Sequence, residues 1–210
     1  MTTEGRAEYV LSALLGYINR SRRKPIATPV LRTRSGQFLH LVGYSFGGRF
    51  LAEALKEAAN PSGPPLLQLP PPNPLYPFTV DNLLVFQMAA PPDAFSHELA
   101  PVLDDAPIRG PVTLTFSTAD RANCVWHQLL EHSPGIGCRG ASTPGARMIT
   151  LRPISQDYEN DELEHPLINV DSSKSFRGAR VTPPGAHSDF WYPESIHLLL
   201  TLAAQARTRV

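Results

Sequence analysis

Strand, glycine-bounded serine, helix: that succession is packed into about twenty residues near the middle of the N-terminal third of the chain. Gly43-Tyr44-Ser45-Phe46-Gly47-Gly48 lies between an apolar run (Phe38, Leu39, Leu41, Val42) and a segment with helical character, 49–59. A serine on a tight strand-to-helix turn is forced into a strained backbone conformation. Its neighbours two residues away must be small for the turn to close. The hydroxyl then stands clear at the C-terminal edge of a sheet. The helix N-terminus beneath it offers free N–H groups and a partial positive charge to a developing oxyanion. Gly48 is expected to let the helix lie close on the sheet. The bare pattern is weak, because glycine and serine are common in turns; the flanking strand and helix strengthen it.

A nucleophilic serine needs a base, and the base needs an orienter. The β-rich run Pro111-Val112-Thr113-Leu114-Thr115-Phe116-Ser117 reads as a buried strand. Asp120 follows it by three residues, on the same sheet edge as Ser45, and is the acid candidate. The alternative is that Asp120 caps the next helix. Asp93, after the preceding strand, is the runner-up acid. The base candidate is His187, in Gly185-Ala186-His187-Ser188-Asp189-Phe190-Trp191 ahead of a last helix, 193–206. His40 lies inside the serine-bearing strand and is expected to pack or face a neighbouring strand. His97, His127, His132, His165 and His197 read as ordinary surface or helix residues. Asp189 is expected to cap the final helix or bind a loop amide.

Four ordered motifs now suggest a family. They are His40-Leu41-Val42-Gly43-Tyr44-Ser45-Phe46-Gly47-Gly48-Arg49, the strand Leu83-Leu84-Val85-Phe86-Gln87-Met88-Ala89, the run from Arg109 to Asp120, and the stretch from Gly185 to Glu194. From Leu39 to the final helix the chain resembles an α/β-hydrolase fold protein, and more narrowly a group of uncharacterised bacterial and fungal serine hydrolases. The resemblance implies Ser45 as nucleophile, Asp120 as acid and His187 as base. It also implies the backbone N–H of Phe46 as an oxyanion donor. The expected activity is that of an esterase-like or lipase-like serine hydrolase on a small-molecule ester or related acyl substrate, with no cofactor and no metal. It names no substrate, because kinship of fold does not fix function.

One departure stands out. Only 44 residues precede Ser45. They read as one helix, 3–22, with Ala7, Val10, Leu11, Leu14, Leu15 and Ile18 on one apolar face, then a basic linker. The strands that precede the serine in such hydrolases, and the loop that supplies a second oxyanion donor, have no counterpart. Losing one donor costs on the order of 10²–10³ in rate. The serine-bearing strand is then expected to become an exposed sheet edge, a pairing surface through which a homodimer could form. The expectation is a truncated gene product, a C-terminal piece of a longer hydrolase, or a minimal variant that dimerises. A non-catalytic hydrolase-fold protein acting through association is the alternative function.

Composition fits one α/β domain over 1–210. Hydrophobic residues make up 42%, charged residues 18%, and the formal net charge is zero. That balance argues against a nucleic-acid partner. The basic run Arg20-Ser21-Arg22-Arg23-Lys24 is expected to be a solvated helix end. The polar stretch Met1 to Ala7 leads to the expectation of no secretory signal, and no run of about 18 apolar residues is long enough to span a membrane, so the location expected is cytoplasmic. Cys124 and Cys138 can make one disulfide at most and are expected to be reduced thiols. His127 and His132 lie between them without zinc spacing. Eight of the 22 prolines fall between Pro61 and Pro77, so 61–78 is expected to be a surface loop. Strands are expected at 37–42, 82–88, 111–117, 147–152 and 167–170. Helices are expected at 47–59 and 122–132, a helix or loop at 93–103, and a glycine-rich loop at 134–146. Strands alternating with helices imply a mostly parallel sheet flanked by helices, a truncated or minimal α/β-hydrolase fold.

Overall fold

A computed structural model describes residues 7–22, 38–59, 80–104, 106, 108–178 and 183–208. The proline-rich segment 61–78 lies outside the described residues, as do Arg23 and Lys24 of the basic run. The elements in order are α1 (Ala7–Arg22), β1 (His40–Tyr44), α2 (Phe46–Ala59), β2 (Asn82–Phe86), α3 (Ala100–Asp104), β3 (Val112–Phe116), α4 (His127–Glu131), α5 (Ile136–Arg139), β4 (Arg147–Thr150), β5 (Leu167–Asp171) and α6 (Pro193–Thr208). The five strands form one sheet in the order β1-β2-β3-β5-β4, and every neighbouring pair is parallel. The fold is therefore α/β with an all-parallel sheet. β1 runs two residues further toward Ser45 than its apolar run suggests, and β2 stops two residues earlier.

Alternation along the strands builds two cores, as a sheet covered on both faces requires. Leu83, Val85, Val112, Leu114 and Leu167 face a core shared with Leu15 of α1, Ala52 and Leu55 of α2, and Val102 of α3. Leu84, Phe86, Ile168 and Val170 face the other, closed by Leu198 and Leu202 of α6 with Leu163 and Phe176. Asn82 fixes α6 to the sheet by donating to the carbonyl of Leu202 at 3.2 Å.

α1 does not bury the single face its periodicity suggests. Leu15 is buried against α2, and the buried Ser12 hydroxyl donates to the Ala54 carbonyl at 2.6 Å. Val10, Leu14 and Tyr17 stand exposed instead. An apolar count cannot separate a stripe that packs from one lying beside it. The polar Ser12 marks the packed face. No helix among the described residues is long and apolar enough to cross a membrane.

Candidate active site

The turn after β1 is built as its glycines require, with one exception. Ser45 takes φ 54°, a left-handed conformation that costs a non-glycine residue on the order of 1 kcal/mol or more. Its N–H donates to the Phe86 carbonyl at 2.9 Å, which ties the turn to β2. A Cβ on Gly43 would lie 2.5 Å from the Gly48 Cα, and one on Gly48 would lie 1.9 Å from a Val85 methyl. Gly47, by contrast, has nothing within 4 Å of such a Cβ, so the second small neighbour of the serine is not sterically demanded. Gly48→Ala is accordingly expected to destabilise the fold by about 1–3 kcal/mol through overpacking. Gly47→Ala is expected to be neutral or mildly stabilising. Thermal denaturation of the two variants checks the contrast.

Ser45, Asp120 and His187 meet at the C-terminal edge of the sheet, carried by the segments that follow β1, β3 and β5. Ser45 Oγ lies 2.9 Å from His187 Nε2. His187 Nδ1 lies 3.0 and 3.1 Å from the two Asp120 carboxylate oxygens. A backbone bridge joins Asp120 to Gly185, and the Ala186 N–H donates to the Ala119 carbonyl at 2.9 Å. The acid loop and the histidine loop are thus laced together. Phe46 opens α2, where the first N–H groups lack intrahelical acceptors.

Asp120 is fully buried, so its charge must be met by hydrogen bonds. Asn123 supplies two: its backbone N–H to Oδ1 at 3.0 Å and its Nδ2–H to Oδ2 at 2.7 Å. The other Nδ2 proton goes to the Gln87 carbonyl at 3.1 Å. With both amide protons used, the 3.3 Å approach of Asn123 Nδ2 to His187 Nδ1 is a contact rather than a bond. The Nδ1 proton therefore points to the carboxylate, and Nε2 is left to accept from the Ser45 hydroxyl. Asp120 has no separate life as a simple helix cap: its Asn123 N–H contact and its histidine contact coexist.

The remaining candidates lie elsewhere. Asp93 is exposed, just ahead of the one-turn helix 94–96, with its carboxylate 3.5 Å from the His97 ring. Asp189 accepts from the Gly178 N–H at 2.9 Å and the Tyr192 hydroxyl at 2.8 Å, the loop-amide role its position suggested. His127 is not an ordinary surface residue. It is buried, it bonds the Ser133 carbonyl at 2.8 Å through Nδ1, and it lines the site pocket. Cys124 and Cys138 are joined in a disulfide, with Cα atoms 5.0 Å apart. This corrects the reduced-thiol expectation: a single pair fourteen residues apart announces nothing, and only the folding of 135–138 back onto 122–126 brings the sulfurs together. Among the described residues no group of three His, Cys, Asp or Glu side chains could hold a metal ion.

Beside Ser45 and His187 opens a cavity of about 150 Å³, whose apolar wall is Phe46, Ala89, Ala122, Trp126 and Leu130. Trp126 and Leu130 were not legible as pocket residues. The chain after Arg121 enters a π-helical stretch, Ala122–Trp126, closed by the His127 N–H on the Ala122 carbonyl. The wider turn shifts the helical phase and swings Trp126 to the site. On the other side, Tyr44 and His187 rings lie 5.0 Å apart, and Phe190 stacks on Phe86 and leans on Tyr44. Burial pushes the Tyr44 phenol up from its ordinary value, and the charge on Asp120 adds to this, while the Ser188 hydrogen bond opposes it. The phenol is therefore a neutral wall at physiological pH. Trp191 points largely into solvent.

No protein-family model matches the chain, and it matches no curated protein and no solved structure.

Proposed function

We propose that the protein is a serine hydrolase of the α/β-hydrolase type acting on an ester or related acyl substrate. The observation that carries this is the unbroken line from Ser45 Oγ to His187 Nε2 and from His187 Nδ1 to Asp120, on a serine held at positive φ at the head of α2. In this reading Ser45 Oγ attacks the carbonyl carbon while its proton passes to His187 Nε2. The oxyanion so formed faces the Phe46 N–H. On collapse the Nε2 proton goes to the leaving oxygen, and water repeats the cycle on the acyl-enzyme. Asp120 holds the imidazole in the working tautomer and balances its charge. The chemistry calls for no metal or organic cofactor. The apolar wall beside Ser45 suits an acyl or aromatic group. The test is rapid quenching of an activated ester reaction followed by peptide mass spectrometry. Support is an acyl group on Ser45; steady hydrolysis with Ser45 never acylated would defeat the reading.

A second reading, association through the sheet edge, is favoured by where exposed apolar groups lie. Among the described residues β1 is a terminal strand, and Val42 on it is 47% exposed. Val10, Leu14 and Tyr17 of α1 and Ile196 and Leu200 of α6 are exposed as well. Such an edge is a template for another chain, and a homodimer would use it without touching Ser45. Light scattering is expected to find a concentration-dependent dimer that Val42→Glu reduces to a monomer. A wild-type chain monomeric at all concentrations would contradict this. As to location, the Cys124–Cys138 bond weighs toward an oxidising compartment and against the cytoplasmic expectation.

A further inference from the structure

The acid residue of the proposed site is held by a neighbour that is itself clamped, and a disulfide closes the clamp. Among the described residues Asn123 gives Asp120 two of its three donors, and it reaches the Gln87 carbonyl with its remaining amide proton. Gln87 is an unusual anchor: it leaves β2 at φ 44° and is fully buried. The segment 135–137 closes on the other side of Asn123. Gly135 N–H donates to the Asn123 carbonyl at 2.8 Å. A Cβ on Gly135 would lie 2.1 Å from Asn123 Oδ1, and one on Gly137 would lie 2.3 Å from Asn123 Nδ2. Both positions are glycine because the Asn123 amide occupies that space. The residues next in line on the two segments, Cys124 and Cys138, are the disulfide.

We propose that Asn123 is a positioning residue for Asp120 and His187, and that the Cys124–Cys138 bond holds it in register. The proposal rests on the serine-hydrolase reading for its effect on turnover, but not for its geometry. The bond is reachable: an open cavity of about 330 Å³ is lined by Thr118, Cys124, Gln128, Pro134, Cys138 and Arg139. A dithiol reductant would deliver two electrons and two protons, leaving two thiols and closing into its own disulfide. Opening the bridge removes the covalent tie between the two segments where the glycines press on Asn123, and leaves the backbone hydrogen bonds of Gly135, Ile136 and Gly137 to hold the contact.

The consequence has a sign. Each Asn123 donor offsets part of the Asp120 charge. Weakening one leaves more negative potential beside His187 and favours the imidazolium. The titratable groups facing His187 are Asp120 at Nδ1 and Tyr44 against the ring, with His127 and Glu131 lining the same pocket. Of these only Asp120 is touched by Asn123.

The experiment is an NMR titration of the His187 ring, assigned with His187→Gln, in oxidised and dithiothreitol-reduced wild type and in Asn123→Ala. Backbone spectra report the fold, and fluorophosphonate labelling is followed on the same samples. Reduction is expected to raise the His187 midpoint by about half a pH unit and to slow labelling roughly three- to tenfold. Asn123→Ala is expected to raise the midpoint at least as far, with reduction then adding nothing. A midpoint unmoved by reduction of the folded chain would overturn the proposal. So would a reduction effect undiminished in Asn123→Ala, or loss of the whole fold on reduction, which would make the bond a general staple. If Asn123→Ala does not fold, the wild-type pair still decides. Absence of labelling in the oxidised wild type would count against the hydrolase reading alone, since the ring titration reads the clamp without turnover.

Discussion

Ser45→Ala is expected to lower ester hydrolysis by about 10⁴- to 10⁶-fold in kcat while leaving the circular dichroism spectrum unchanged. The reason is local. Among the described residues the Ser45 hydroxyl is the group that His187 Nε2 bonds, and its loss removes the proposed nucleophile without opening a core cavity. The turn itself survives, because it is held by the Ser45 N–H on the Phe86 carbonyl and by the close approach at Gly43 and Gly48. Alanine inherits the positive φ and its strain, so stability is expected to change by no more than about 1 kcal/mol. Initial rates on a short-chain p-nitrophenyl ester, with thermal denaturation alongside, check both halves. Retained turnover would show that the hydrolysis arises elsewhere.

Asp120→Asn is expected to be nearly as damaging, about 10⁴-fold in kcat, for a different reason. An amide at this position presents an NH₂ where the carboxylate accepts. Facing the His187 ring, it would donate to Nδ1 and force the ring proton to Nε2, where it can no longer accept from Ser45. Some stability is lost too. Asp120 is fully buried among the Asn123 N–H, the Asn123 amide and the His187 ring. Turning one oxygen into a donor leaves a buried clash of donors, at about 1–3 kcal/mol. Asp189→Asn serves as the control. That carboxylate serves the Gly178 N–H and the Tyr192 hydroxyl, and its variant is expected to keep its rate within about threefold.

Strand positions were legible because a parallel sheet covered on both faces writes buried runs such as Leu83-Leu84-Val85-Phe86 into the chain. Ser45, Asp120 and His187 could be named because each follows a strand by a loop, and parallel strands gather such loops on one edge. The structure brings those three side chains within hydrogen-bond reach. Asn123 was not legible: at the start of an apparent helix it looks like any polar residue, and its worth lies in contacts with Asp120 and Gln87 that only tertiary folding creates. The disulfide was hidden for the same reason. His127 was read as an ordinary surface or helix residue and Trp126 was not legible, because the π-helical stretch breaks the 3.6-residue period on which face assignments rest. α1 was half misread, since its apolar residues are more numerous than the stripe it buries.

The most direct measurement is labelling with a fluorophosphonate probe, followed by peptide mass spectrometry, in wild type, Ser45→Ala and His187→Ala. The probe reacts with a serine only when a base has activated it. One adduct is expected on wild type, located on Ser45, and none on either folded variant. A folded wild-type chain left unlabelled, or labelling that persists in His187→Ala at the wild-type rate, would contradict the serine-hydrolase reading.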